Sequence, residues 1–220
     1  MTAVLAAIAA VALATAQWFI WVYAPVEETM GVVQKIFYVH LPMSIWAMAS
    51  FLVVFVCSVM VLVKKDDKWD RLAGAACELG VLFAGLALVT GSIWGKPIWN
   101  VWWTWDPRLT TTLIMWFVYA AYLILRQSGV GGERGPVVRA ALGVVAFLDV
   151  PLVFFSARKW RSIHPTVFGA QGGGLEPEML TAILVSLAAM GIFWAALLSL
   201  RSRQLGQASA IRNVFLHQVR

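Results

Sequence analysis

The sequence is poor in charge, in acidic residues and in cysteine. Only 13% of its 220 residues are charged, and 11 of them are Asp or Glu. The two cysteines, Cys57 and Cys77, form no CxxC pair, which excludes a dithiol redox motif and a metal–thiolate cluster. There is also no CxxCH motif, so the chain is not itself a c-type cytochrome, and no nucleotide-binding motif, so any ATPase activity belongs to a partner.

Apolar residues dominate instead. They make up 61% of the chain, and the mean hydropathy is +0.79, more than a soluble domain of this size can bury. Six apolar runs are each about 20 residues long, enough to cross a bilayer as a helix. We therefore predict a single membrane domain over residues 1–220, an all-α bundle of six transmembrane helices, with spans near 2–23, 43–63, 72–93, 109–125, 137–157 and 179–200.

The basic residues indicate how the bundle is inserted. With cytoplasmic termini, eleven Lys and Arg residues fall on the inner side and six on the outer side. The bias is incomplete because the last outer loop contains the run Arg158-Lys159-Trp160-Arg161. The net charge of +6 is thus explained by membrane topology, and we expect no nucleic-acid partner.

The alternation of spans places three features on one side of the membrane. His40 lies before the second span, the tryptophan-rich segment 94–112 lies between the third and fourth, and His164 lies between the fifth and sixth. Any two of these are separated by an even number of spans, so all three share the outer side. His217 falls on the opposite side.

The segment 94–112 concentrates aromatic surface. Pro97 suits the first position of a helix, and the following spacing puts three indoles on one face. Asp106 and Pro107 suit the N-cap and first residue of the fourth span. We predict a short outward-facing surface helix, although an ordinary interfacial aromatic belt is the alternative. The segment holds five of the twelve tryptophans: Trp94, Trp99, Trp102, Trp103 and Trp105.

Two outer histidines and a flat aromatic surface suit a planar tetrapyrrole. His40 and His164 could be the two axial ligands of a haem iron, whereas a zinc site would need more ligands than the outer side offers. Arg108 and the 158–161 cluster could pair the propionates. The alternatives are hydrogen-bonded interfacial histidines, and cations that extend from helix ends toward water.

Other classes of protein are compatible with parts of the pattern. A transport subunit would need polar residues along a path through several spans, and only Asp149 qualifies; that acid could equally satisfy backbone groups near Pro151 or face a partner. An electron-transferring b-type cytochrome would place paired histidines inside facing spans, whereas all three histidines here are expected in loops or the tail. An apolar scaffold without a ligand is the remaining alternative.

The motif residues resemble a known family. The run WGKPIWNVWWTWDPRLTT is similar to the tryptophan-rich WWD signature of membrane haem-handling proteins, and FYVHLP around His40 is similar to the cytochrome c maturation protein C (CcmC) family, also called haem exporter protein C. The resemblance covers nearly the whole chain. One departure is the run KWRSIHP around His164, where the family commonly has a WWNTLHQP-like run.

The resemblance implies a function and a set of partners. Family members hold haem b non-covalently at the periplasmic face of the bacterial inner membrane and deliver it to the haem chaperone CcmE, with an ABC-type assembly of CcmA, CcmB and the small subunit CcmD. It implies a delivery protein rather than an enzyme; the alternative is a membrane subunit of a haem or small-solute exporter. By motif position, His40 and His164 match the axial ligands, and the signature residues are Trp94, Gly95, Trp99, Trp102, Trp103, Trp105, Asp106 and Arg108.

Overall fold

The computed structural model describes residues 2–160 and 175–218 of the chain. Seven α-helices account for most of them, and no strand forms within these ranges. A π-helical turn at Phe19–Tyr23 extends the first helix, and a 3-10 turn at Val32–Ile36 leads into the second. The helices are α1 (Thr2–Trp18), α2 (Phe37–Lys64), α3 (Asp67–Trp99), α4 (Pro107–Gln127), α5 (Gly135–Ala146), α6 (Asp149–Lys159) and α7 (Pro177–Gln218).

Six segments are long and apolar enough to cross a membrane, so the predicted six-helix membrane fold is confirmed. A regular helix pairs most of its backbone polar groups internally, as a bilayer requires. The six segments are Ala3–Tyr23, Val32–Lys64, Asp67–Trp99, Pro107–Gln127, Gly132–Ser156 and Pro177–Ile211.

The α2–α3 hairpin is the centre of the bundle. Lys65, in the left-handed conformation, ends α2, and the Asp66 carboxylate caps α3 by accepting from the Lys68 backbone N–H at 2.9 Å. Helices α5 and α7 pack on α2, α4 and α7 pack on α3, and α1 packs on α7. The stacked rings of Trp46 and Trp194 join α2 to α7, with centroids 4.9 Å apart.

Packing divides the bundle into a middle and two ends. In the middle, the rings of Phe51 and Tyr119 stack with centroids 3.7 Å apart, and both side chains are fully buried. At one end, Asp70 forms ion pairs with Arg126 and Arg139, which ties α3 to α4 and α5. The opposite end, where α2 begins and α3 ends, contains His40 and is called the His40 end below.

Four predicted spans are shorter than the helices that contain them: 43–63, 72–93, 109–125 and 179–200. Pro42, just before the span 43–63, suits the start of a helix, whereas α2 already begins at Phe37. His40 is therefore helical, and its predicted position in a loop was wrong. A proline in the second turn removes a single main-chain hydrogen bond, which the helix tolerates here. The span 179–200 likewise lies within a longer helix, since α7 runs to Gln218.

The fifth span is interrupted. Helix α5 ends at Ala146 and α6 begins at Asp149, with Leu148 N–H donating to Val145 O in a tight turn. Pro151 explains the break, since its ring excludes the carbonyl four residues earlier, that of Phe147, from a regular helical turn. Asp149 therefore lies at a helix break inside an apolar span, and its Oδ2 atom is buried with no hydrogen-bond partner.

Candidate functional site

His40 lies in the first turns of α2 and faces α3. Its Nδ1 atom is 3.1 Å from the Thr90 hydroxyl oxygen. Its ring centroid is 5.9 Å from that of Trp94, with the ring planes inclined at 53°. Thr90 and Trp94 are four residues apart and so share a face of α3. The hairpin thus brings the predicted histidine ligand against the start of the tryptophan-rich segment.

Gly91 allows this approach. A Cβ atom at position 91 would lie 3.0 Å from the Cε1 atom of His40, which is tighter than ordinary side-chain contacts. The imidazole therefore rests on the backbone of α3 as well as on the Thr90 hydroxyl. Sequence reasoning missed both Thr90 and Gly91, because neither residue type marks a binding site by itself.

Trp94 forms the inner part of the site. Its side chain is 5% exposed and packs against Phe37, with ring centroids 5.9 Å apart. One turn later, the ring of Trp99 covers Gly95, where a Cβ atom would lie 3.0 Å from the Trp99 ring. The first two tryptophans of the segment are therefore part of α3 rather than of a separate element.

The predicted surface helix is not found, and that part of the prediction was wrong. Helix α3 continues through Pro97 to Trp99 and ends at Asn100, whose φ of 58° is left-handed. Residues 101–106 form no helix. Pro97 lies in the last turn of α3. Its missing N–H removes one main-chain hydrogen bond close to the point where the helix ends. The segment after α3 is instead an irregular connection to α4.

This connection presents indoles to the surroundings. Trp102 is 61% exposed and Trp105 is 75% exposed, while Trp103 is partly buried and meets Trp105 edge to face with centroids 5.9 Å apart. An exposed aromatic surface of this kind is typical of a binding site or of a membrane interface. The tryptophans thus range from the buried Trp94 on α3, through the partly buried Trp99 and Trp103, to the exposed Trp102 and Trp105 on the connection.

Asp106 starts α4, as the sequence predicted. Its carboxylate accepts from the Arg108 backbone N–H at 2.9 Å, Pro107 is the first helical residue, and the Asp106 side chain is buried. The Arg108 carbonyl in turn accepts from the Thr112 hydroxyl at 2.7 Å. Asp106 therefore has a structural role in joining the aromatic connection to α4.

The second predicted ligand lies outside the described residues. His164 and Arg161 belong to the segment 161–174, and the side chain of Arg158 is likewise not described. Lys159 is the last residue of α6 and is exposed, as is Trp160. Ser156, three residues earlier, lies 3.5 Å from the Thr111 hydroxyl of α4. The end of α6 is therefore at the same end of the bundle as segment 94–112.

The polar atoms at this end fit a flat ligand that carries hydrogen-bond acceptors. The Nε1 atoms of Trp94 and Trp103 and the hydroxyl of Thr104 are buried without a hydrogen-bond partner. Each unpaired donor costs about 1–3 kcal/mol, which an acceptor on a ligand would recover. Within residues 2–160 and 175–218, no three His, Cys, Asp or Glu side chains could hold a metal ion together.

The fold and this site define a multi-pass α-helical membrane protein with a histidine and a tryptophan-rich segment at one end of the bundle. A family model described as "Heme exporter protein C" matches residues 1–214. The chain therefore belongs to the heme exporter protein C family.

Individual relatives carry the same name. The "Heme exporter protein C" of Haemophilus influenzae is 34% identical over 75% of this chain and 66% of its own length. That of Escherichia coli K12 is 32% identical over 90% of this chain and 81% of its own length. That of Bradyrhizobium diazoefficiens is 31% identical over 79% of this chain and 67% of its own length.

Proposed function

We propose that this protein binds haem at the periplasmic face of the bacterial inner membrane and delivers it to the haem chaperone CcmE during cytochrome c maturation. The observation that carries the proposal is the contact of His40 with Trp94, which joins an iron ligand to an aromatic surface. Membership of the heme exporter protein C family supports haem as the ligand. The count of basic residues supports cytoplasmic termini and a periplasmic site.

The residues divide the work of holding and releasing the ligand. His40 binds the iron on one side, and His164 is proposed as the second axial ligand. Trp99, Trp102, Trp103 and Trp105 contact the macrocycle. Arg108 pairs with a propionate. The exposed side chains of Trp102 and Trp105 leave one edge of haem b open to CcmE. Because no covalent bond holds haem to this chain, its release from the site requires only the loss of the two iron ligands and of the aromatic contacts.

The partners follow from the proposed role. We propose that CcmA, CcmB and CcmD supply the nucleotide-driven step, and that this chain acts as a haem-handling subunit rather than as an enzyme. The alternative, a membrane subunit of a haem or small-solute exporter, is supported by the relatives' name, heme exporter protein C. The packing in the middle of the bundle argues against a transport path for a solute through this chain. The buried side chains of Phe51, Met115 and Tyr119 fill that region.

Haem delivery is tested in cells that lack the native protein and contain CcmE with its partners. The variants are His40→Ala and His164→Ala, with His217→Ala at the opposite end of the bundle as the matched control. We expect covalently loaded CcmE, detected by haem staining, to be lost in the first two variants and retained in the control. Loaded CcmE at wild-type levels in both ligand variants would overturn the proposal.

A further inference from the structure

We infer that Thr90 is a positioning residue that sets the tautomer of His40, with the proton on Nδ1 and the lone pair on Nε2. The inference rests on the proposed function in that Nε2 is then the atom that binds iron. Its evidence is the contact of 3.1 Å between His40 Nδ1 and Thr90 Oγ1. A hydrogen bond to one ring nitrogen decides which nitrogen is available to a metal.

The hydrogen-bond count decides the direction of this contact. The Thr90 hydroxyl has one proton, and its oxygen lies 2.8 Å from the Leu86 carbonyl and 3.2 Å from the Ala87 carbonyl. Threonine in a helix donates to such a carbonyl one turn earlier. Because the carbonyls take the only hydroxyl proton, the oxygen accepts from His40, and Nδ1 is the donor. The second nitrogen, Nε2, therefore holds the lone pair.

The rest of the α3 face holds the ring in this orientation. Because Gly91 has no Cβ atom, the Cε1 atom of His40 can approach the backbone of α3. Trp94 contacts the same imidazole one turn further along. Thr90 thus acts on iron binding through His40 and does not itself touch the ligand. Outer hydrogen-bond partners of this kind typically change metal affinity about 10- to 100-fold when removed.

The tautomer can be measured without haem. The chain contains three histidines, so ¹⁵N-histidine labelling of the purified ligand-free protein gives signals that His40→Ala, His164→Ala and His217→Ala assign. In the wild type we expect the His40 proton on Nδ1. Thr90→Ser should keep that pattern, and Thr90→Val, which has the same shape without a hydroxyl, should lose it. A wild-type proton on Nε2, or an unchanged pattern in Thr90→Val, would overturn the inference.

A second measurement connects the tautomer to haem. Thr90→Val should weaken haem binding by about tenfold, while Thr90→Ser stays near the wild type. Thr181→Val is the matched control, since the Thr181 hydroxyl also donates to a carbonyl one turn earlier, Pro177 O at 2.8 Å. Equal haem affinity of Thr90→Val and wild type would contradict the positioning role. If neither the wild type nor any of the variants binds haem, the proposed function is wrong. The labelling experiment would still determine the tautomer of His40.

Discussion

The imidazole of His40 and the indole of Trp94 lie against each other, with ring centroids 5.9 Å apart. They come from different helices and are 54 positions apart in the chain. The α2–α3 hairpin brings them together, because α2 begins and α3 ends at the same end of the bundle. A candidate iron ligand and a tryptophan-rich surface therefore form one site, and the predictions below follow from its geometry.

Gly91→Ala should disturb the site without disturbing the fold. The new Cβ atom would lie 3.0 Å from His40 Cε1 and would displace the ring from Thr90. We expect weaker haem binding and an altered absorption spectrum in the purified variant. Gly85→Ala is the control, because its Cβ would meet Trp116 at 3.1 Å, on a ring outside the site. Equal losses of haem binding in Gly91→Ala and Gly85→Ala would show that Gly91→Ala acts through a general change in helix packing and not through His40.

The exposed indoles should matter for haem more than for stability. Trp102→Ala with Trp105→Ala removes two side chains that are more than half exposed. Two lost aromatic contacts of about 1 kcal/mol each predict roughly thirtyfold weaker haem binding. The protein should still insert in the membrane, as fractionation would show. Trp18→Ala, also about half exposed but on α1, is the control; if it has the same effect as the double variant, the connection has no special role.

Asp106 should act through its cap. Asp106→Ala removes the acceptor for the Arg108 N–H and should destabilise the start of α4 by about 1 kcal/mol. Asp106→Asn keeps a good cap and removes the charge. We expect the thermal unfolding temperature in detergent to be lower than that of the wild type for Asp106→Ala and nearly unchanged for Asp106→Asn. A comparable loss of haem binding in both variants would instead assign the carboxylate charge a direct role.

Asp70 should contribute strongly to stability at the end of the bundle opposite to His40. Its carboxylate accepts from Arg126 at 2.9 Å and from two nitrogens of Arg139 at 3.0 Å, and all three side chains are mostly buried. Asp70→Asn leaves two cations uncompensated, which typically costs about 3 kcal/mol or more. Asp66→Asn changes a partly exposed acid whose capping role Asn can keep, and it should cost much less than Asp70→Asn. Similar unfolding temperatures for the two variants would contradict this assignment.

The spans could be predicted from the sequence, since their length and hydropathy are local properties. The N-cap at Asp106 could be predicted for the same reason. The two prolines at the site were misleading: Pro42 and Pro97 each suit a helix start, yet both lie inside longer helices. A proline near a helix end loses one hydrogen bond, and neighbouring residues decide whether the helix continues.

The contacts of the site could not be predicted from the sequence. The approach of Thr90 and Gly91 to His40 depends on the register in which α2 packs on α3. That register results from many apolar contacts along the hairpin, none of which has a distinctive local pattern. The ligand roles of His40 and His164 remain predictions, and His164 lies outside the described residues.

The most direct test of the central claim is the absorption spectrum of the purified protein with added haem. The account predicts a low-spin spectrum with two histidine ligands in the wild type and in His217→Ala. It predicts loss of that spectrum in His40→Ala and in His164→Ala. A low-spin spectrum that persists in both His40→Ala and His164→Ala would contradict the assignment of this end of the bundle as the haem site.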